Sequence, residues 1–480
     1  MIKNRIKPKI AIIGGGVAGS SAALYFGSLG LNVTLFEKEP SLVSGPPFCH
    51  LHAGGNFYRE ISDEQCLTLL RQSIDFLRFY PFVVDYRPTV IVVPKYDTST
   101  AKALLPRLEL LSREYEALIA KDVANKVLGE SKDYYRSYSK EQIEALRLKE
   151  ITHAAKTHDE WMIIVAKNID LSKVQFPLIL VQEYGLNLFR LAAGIELAIK
   201  NTKSATLNAN TIVHNIQKDS STSKWIVKYH RDEKNHQESF DYLINAAGFR
   251  AGQIDDMLNA PCKSMVEFKA AYISHWQSHE SRQFPEIIFH GERGTPQGMG
   301  QFTPYQNGYF QLHGMTNDIT LYENGLAESS TLSCQPNLDE TFINKIEKSW
   351  KKEELEERTR NAIKHLAQFI PKFESATVGS RPLFGAQQIP GDDPTLRVAE
   401  VSFPIEFYAR CEIVKVSSVF DMIDAISKNF IDLGYISKEL LGKRNLKYLD
   451  GLDEESVKLF AENIAKDRGY PISLANRNIS

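Results

Sequence analysis

An α/β fold of two interleaved domains is predicted for this chain, and three observations predict it. The N-terminal stretch reads strand, glycine turn, helix, strand and acidic residue, in the order that a Rossmann-type unit requires. Strand-like segments that fit the same domain return near residues 211 and 245, after a long insertion. The remaining segments combine polar helices with a glycine- and aromatic-rich stretch from His290 to His313, which fits an α+β domain built on a mixed, largely antiparallel sheet.

Two domains are also what the length requires: 480 residues exceed one ordinary core, and 43% hydrophobic with 24% charged residues is a globular balance. Lys plus Arg (57) nearly cancels Asp plus Glu (59), so no basic field is available for a nucleic acid or an anionic bilayer. A small-molecule substrate is expected. The apolar stretches Phe82 to Val93 and Phe176 to Val181 are interrupted by Asp, Arg or Pro and are shorter than the ~20 residues of a membrane span. No integral membrane segment is expected. The apolar run Ile10 to Ile13 is too short for a signal peptide, and a cytoplasmic location follows as the expectation. Five cysteines (Cys49, Cys66, Cys262, Cys334, Cys411) without a CxxC pair indicate neither a disulfide framework nor a metal site.

Lys9 to Ile13, Val17 to Leu29 and Asn32 to Phe36 read as strand, helix and strand. Asp63 to Tyr80 is an amphipathic helix through Leu67, Leu70, Ile74 and Leu77, and Thr89 to Val93 is strand-like. A helix-rich polar stretch runs from about Ala101 to Leu148, and Ile151 to Val165 reads as β-rich. Leu186 to Lys200 is a helix, followed by strands at Thr211 to Gln217, Lys224 to Tyr229 and Tyr242 to Ala246. Asp339 to Phe369 is strongly helical, its charged run Glu347 to Arg360 being a solvated face. Two further helices lie near Asp421 to Ser437 and Glu454 to Lys466.

Gly14, Gly16 and Gly19 form GxGxxG directly after a strand: a tight turn, close approach of a pyrophosphate, and close helix packing. Val17 and Ala18 open the helix whose N-terminus faces the phosphates. Glu37, with Lys38 after it, ends the second strand where a carboxylate accepts both ribose hydroxyls, so the ligand is FAD or NAD without a 2′-phosphate. The return of nucleotide-domain pieces near 211 and 245 favours FAD over a compact NAD domain.

Several segments resemble the D-amino-acid-oxidase (DAO) superfamily of FAD-dependent oxidoreductases. They are GGGVAGSSAALYFGSLGLNVTLFEK (Gly14 to Lys38), NANTIVHNIQ around Val213, DYLINAAGFRAGQI (Asp241 to Ile254), and HLAQFIPKFESATVGSRPLFGAQQIPGDDPTL (His365 to Leu396). The resemblance implies a glutathione-reductase-like FAD fold of DAO type, adenine contact at Val213, and flavin-domain contacts at Ala247 and Gly248. The expected division is an FAD-binding domain of residues 1–80, 178–256 and 376–445, a substrate domain of 81–177 and 257–375, and a C-terminal helical tail of 446–480. SGPPFCHLHAGGNFYRE (Ser44 to Glu60) is similar to the family's flavin-side His-Ala-Gly stretch and carries over His52, Ala53 and Gly54, with Cys49, His50 and His52 as places for a covalent flavin link. The family's glycine-rich turn before its last helix is replaced by Ser417 and Ser418, where Ser418 can cap the helix and its N–H groups stabilise a reduced flavin. No redox CxxxxC, second GxGxxG or Gly-Gly-Arg motif points to another flavin class.

The expected function is oxidation of a CH–NH or CH–OH bond of a small, carboxylate-bearing substrate by hydride transfer to flavin N5, with electrons passing to oxygen or a quinone. Such chemistry needs an aimed C–H, a clamp for the polar end and a route for the heteroatom's proton. Arg59 and Arg381 are the clamp candidates, because a guanidinium holds a carboxylate bidentately. Tyr305, Tyr309 and His313 are substrate-lining candidates through the resemblance, and His52 or His313 is the candidate base. A 2-hydroxyacid dehydrogenase serving a membrane quinone, and a flavoprotein with a binding or tRNA-modifying role, are the alternatives.

Overall fold

The βαβ unit forms where its pattern places it: strand Lys9–Ile13, helix Val17–Ser28 and strand Asn32–Phe36, the strands parallel from Lys9↔Asn32 to Ile13↔Phe36. The computed structural model describes residues 7–44, 61–152, 154–277, 284–391, 399–444 and 451–478. Small residues let the first helix sink into the domain with ten of its positions buried. At Gly27, for example, a Cβ would lie 2.8 Å from Ala205 Cβ.

A six-stranded sheet grows around this unit in the order Ala399–Ser402, Tyr408–Ile413, Tyr242–Asn245, Lys9–Ile13, Asn32–Phe36, Ala205–Asn208. It is parallel except at its Ala399–Ser402 edge. An antiparallel meander of Ile212–Lys218, Trp225–Arg231 and Lys234–Phe240 packs through Ile216, Trp225 and Val227 against the Ala11, Ile13 and Leu243 face. Helices Val17–Ser28, Leu188–Lys200 and Val419–Asp432 contribute to the core on the opposite face.

The second sheet has nine strands, in the order Leu326–Glu328, Ser264–His275, Tyr309–Gly314, Gly300–Pro304, Glu286–Phe289, Thr89–Val92, Leu178–Val181, Tyr135–Tyr138, with Thr377–Pro390 also paired to Ser264–His275. It is mixed, because Glu286–Phe289 runs parallel to Thr89–Val92 while the other pairs are antiparallel. The expected domain limits shift accordingly. Leu178–Val181 and Thr377–Pro390, placed in the dinucleotide domain by limits at 178 and 376, hydrogen-bond into this second sheet. The C-terminal segment, expected as a helical tail, holds helix Glu454–Asp467, which packs on Leu188–Lys200, and Asn187 Nδ2 donates to Leu474 O at 2.8 Å.

Three local readings change. Ile151 to Val165 is not β-rich but leads into helix His158–Asn168, started by a capping box in which Thr157 accepts from the Glu160 N–H and Glu160 reaches back to Thr157 N–H. Its apolar run is buried all round, which hides the helical period. Asp339 to Phe369 divides into helices Glu340–Glu347 and Lys352–Ala367. The polar stretch after Ala101 holds helices Leu105–Lys121 and Lys140–Arg147 but also strand Tyr135–Tyr138. Among the described residues no helix is long and apolar enough to cross a membrane.

Candidate active site

The glycine turn is built by three different constraints. Gly14 has φ +97°, and a Cβ there would lie 2.3 Å from Ala246 O. At Gly19 a Cβ would lie 1.9 Å from Gly14 O, so the helix can approach the turn only without a side chain. At Gly16 a Cβ would meet nothing within 4 Å: the turn opens onto space there. Gly16 is the N-cap of helix Val17–Ser28, with no side-chain cap and no acidic residue in the first turn, so the positive end of the helix dipole faces that space. Glu37 is buried beneath it. Its Oε2 accepts from Gly15 N–H at 2.5 Å and its Oε1 from Glu39 N–H at 2.8 Å. Burial raises the Glu37 carboxyl above its ordinary value, against these two backbone bonds.

The nine-stranded sheet has two chemically different faces, which follow from its register and the two-residue period of strands. Pairings Gln301↔His313, Thr303↔Gln311, Ile288↔Gln301 and Glu286↔Thr89 place Thr89, Glu286, Gln301, Thr303, Gln311 and His313 on one face. The alternate residues Val90, Ile287, Phe302 and Leu312 lie on the other face, packed with Ile163 and Ile363 of the covering helices. Although polar, all six residues of the first face are buried. Ile91 and Ile273 on the same face belong to the apolar cluster that contains Ile10 and Ile12, so this polar face looks toward the dinucleotide domain.

Hydrogen bonds satisfy the face internally, as burial demands. Glu286 accepts from Gln301 Nε2, from Thr303 Oγ1 at 3.0 Å and from Arg87 Nη1 at 3.0 Å, while Arg87 Nε donates to Asp85 at 2.7 Å. His313 Nδ1 lies 3.1 Å from Thr320 Oγ1, and Tyr305 OH donates to Gln311 Oε1 at 3.3 Å. Ile273↔Gln311 extends the face onto strand Ser264–His275, where Glu267 and Lys269 alternate with the apolar side. Lys269 and Arg293 both pair with Glu267; burial opposes its ionisation, yet the two cations hold it below the usual carboxylate range. Tyr309 is partly buried, with its ring 4.7 Å from His275.

The structure thus brings His313 and Tyr305 to one face with Glu286, Gln301, Thr303, Gln311 and Lys269, none of which motif reading had selected. Their only local signal is a polar residue at every second position of an apolar strand. Arg381 is exposed: its guanidinium lies over the Phe384 and Tyr470 rings and its Nη1 donates to Arg468 O at 3.3 Å. Val213 is half-buried in the meander opposite Tyr229, and Lys38 pairs with Glu39 at 3.3 Å. Ala247 donates its N–H to Asn245 Oδ1 at 3.2 Å, and Gly248 has φ +61°. Ser417 and Ser418 are buried before helix Val419–Asp432, but Ser418 does not cap it; its Oγ donates to Lys415 O at 2.6 Å within a preceding 3-10 turn. His52, Ala53, Gly54, Arg59, Cys49 and His50 lie outside the described residues.

The family model described as FAD dependent oxidoreductase (DAO) matches residues 9–163. Over those residues the chain resembles the FAD dependent oxidoreductases of the DAO family. Among solved structures, the chain resembles a glycine oxidase from Geobacillus kaustophilus at 13% identity and TM-score 0.54, covering 91% of this chain and 99% of that one. It also resembles an L-proline dehydrogenase from P. horikoshii at 15% identity and TM-score 0.56 (88% and 94% covered). A third is an FAD-bound L-α-glycerophosphate oxidase from Mycoplasma pneumoniae at 14% identity and TM-score 0.56 (88% and 94% covered). At such identities the likeness carries the fold. No curated protein matches the chain.

The residues present fit FAD. The open space at Gly16, the uncapped helix N-terminus and the narrow Gly14–Ala246 crossing form a cradle that a side chain would fill or break. Each Glu37 oxygen accepts one backbone N–H and has a second lone pair for a ribose hydroxyl.

Proposed function

We propose that this protein, as a flavoprotein, oxidises a CH–NH or CH–OH bond of a small, carboxylate-bearing molecule. The observation that carries the reading is the buried polar face of the nine-stranded sheet, turned toward the dinucleotide domain while its reverse side is apolar. Bound FAD supplies the two-electron acceptor.

The chain's own groups then divide the remaining work. Glu286, anchored by Arg87, Gln301 and Thr303, fixes the middle of the face. Gln311 and Tyr305 offer an amide and a hydroxyl to the substrate's polar end. Lys269 and Arg293, the two cations paired with Glu267, are candidates for holding the substrate carboxylate beside Arg59 and Arg381. His313, its ring oriented through Nδ1 by Thr320, exchanges the heteroatom's proton at Nε2.

The test is anaerobic addition of amino, N-methylamino and hydroxy acids to the purified protein, followed by oxygen or a soluble quinone. Bleaching of the flavin band by one class names the substrate, and the acceptor that restores colour names the partner. No bleaching by any carboxylate-bearing compound, together with bleaching by an uncharged amine or alcohol, would overturn the clamp.

A further inference from the structure

Arg468 follows the C-terminal helix Glu454–Asp467, and its side chain returns to the loop after the ribose-side strand Asn32–Phe36. Nε donates to Ser41 Oγ at 3.2 Å, Nη2 to Ser41 Oγ at 2.8 Å and to Leu42 O at 2.5 Å, and Nη1 to Val43 O at 3.0 Å. Three consecutive residues are therefore held by one planar fork. The loop in turn bears directly on the glycine turn. Val43 N–H donates to Gly15 O at 2.9 Å, and a Cβ at Gly15 would lie 2.7 Å from Leu42 Cδ2. Gly15 N–H is one of the two backbone donors to Glu37.

This loop does not hold its shape unaided. Val43 has φ +53°, a region that a β-branched residue rarely occupies unless its surroundings impose it. Arg468 takes the carbonyl of that residue and the two groups before it. On its other side, the Arg468 carbonyl accepts from Arg381, and Tyr470 OH donates to Pro382 O at 2.8 Å. Both partners belong to strand Thr377–Pro390 of the nine-stranded sheet.

We propose that Arg468 is a positioning residue for the dinucleotide turn. Acting through Ser41, Leu42 and Val43, it sets the affinity for FAD. The inference rests on the assignment of FAD to that turn. A lysine has a point charge and no fork, so it cannot serve the same acceptors.

The experiment titrates the deflavinated full-length protein with FAD and, separately, with ADP, which engages the turn alone. Arg468→Met and Arg468→Lys are each expected to weaken FAD by about tenfold or more, with ADP weakened in the same ratio. Tyr470→Phe cuts the bond to Pro382 on the same segment and is expected to lower thermal stability while leaving the FAD affinity unchanged. Wild-type FAD affinity in either Arg468 variant, or an equal loss in Tyr470→Phe, overturns the proposal. If the Arg468 variants fail to fold, Ser41→Ala removes two of the contacts from the loop side; a several-fold loss supports the proposal and an unchanged affinity refutes it. A wild-type protein that binds neither FAD nor ADP would overturn the FAD assignment, and this inference with it.

Discussion

Gly14 and Gly16 are the same residue type two positions apart, and the structure asks different things of them. Gly14 is held at positive φ against Ala246 O, so Gly14→Ala is expected to cost about 2 kcal/mol or more in unfolding free energy, read by denaturant melts. Gly16 has φ −61° and open space at its Cβ. Gly16→Ala should therefore melt close to wild type as apoprotein yet bind FAD more weakly, because the new methyl enters the phosphate space. Equal melting losses in both variants would remove this distinction. A second single-residue effect concerns Glu412, which shares Arg410 with Asp255 inside the dinucleotide domain. Burial pushes its carboxyl up to about 7, with Arg410 opposing. The folded state then binds a proton that the unfolded chain has already released, so stability is present below the ordinary carboxylate range and falls as pH rises through about 7. Glu412→Gln is expected to flatten that slope, whose full height is on the order of 3 kcal/mol. A wild-type stability that rises over the same interval would refute the shift.

At the scale of elements, the helix His158–Asn168 shows why composition misleads. HDEWMIIVAKN has the β-branched and aromatic content of a strand, yet the capping box at Thr157 and Glu160 commits the chain to a helix before the apolar run begins. Thr157→Ala is expected to cost about 1 kcal/mol in thermal or chemical unfolding, and a negligible effect would show that packing alone holds the helix. The start of Val419–Asp432 is the opposite case. Ser418 stands at the N-cap, but its hydroxyl is held by Lys415 O, and the helix N-terminus has no side-chain cap. Residue identity suggested a cap there; the preceding 3-10 turn decided otherwise.

At the scale of the molecule, the C-terminal segment ties helix Leu188–Lys200 and the loop after strand Asn32–Phe36 to the nine-stranded sheet. Arg477 pairs with Glu454 and donates to Pro81 O and Val84 O, Asn478 N–H donates to Asp85, and Tyr470 reaches Pro382. A chain ending at Leu452 is expected to lose soluble expression or melt at least several degrees lower in differential scanning fluorimetry, whereas a dispensable tail would leave the melt unchanged. By itself the sequence determined the βαβ unit, the glycine turn and the acidic end of the second strand, because each rests on local period and backbone freedom within about thirty residues. His313 and Tyr305 were legible as candidates through family resemblance, and the structure sets them on one buried face. That face, with Glu286, Gln301, Thr303 and Gln311, was decided only by tertiary structure. Which side of an alternating strand is inside depends on its register with partners far away in the chain, and a shift of one residue would turn every one of these side chains to the opposite face. The same holds for Arg468, whose contact with Val43 spans 425 residues and follows from no local pattern.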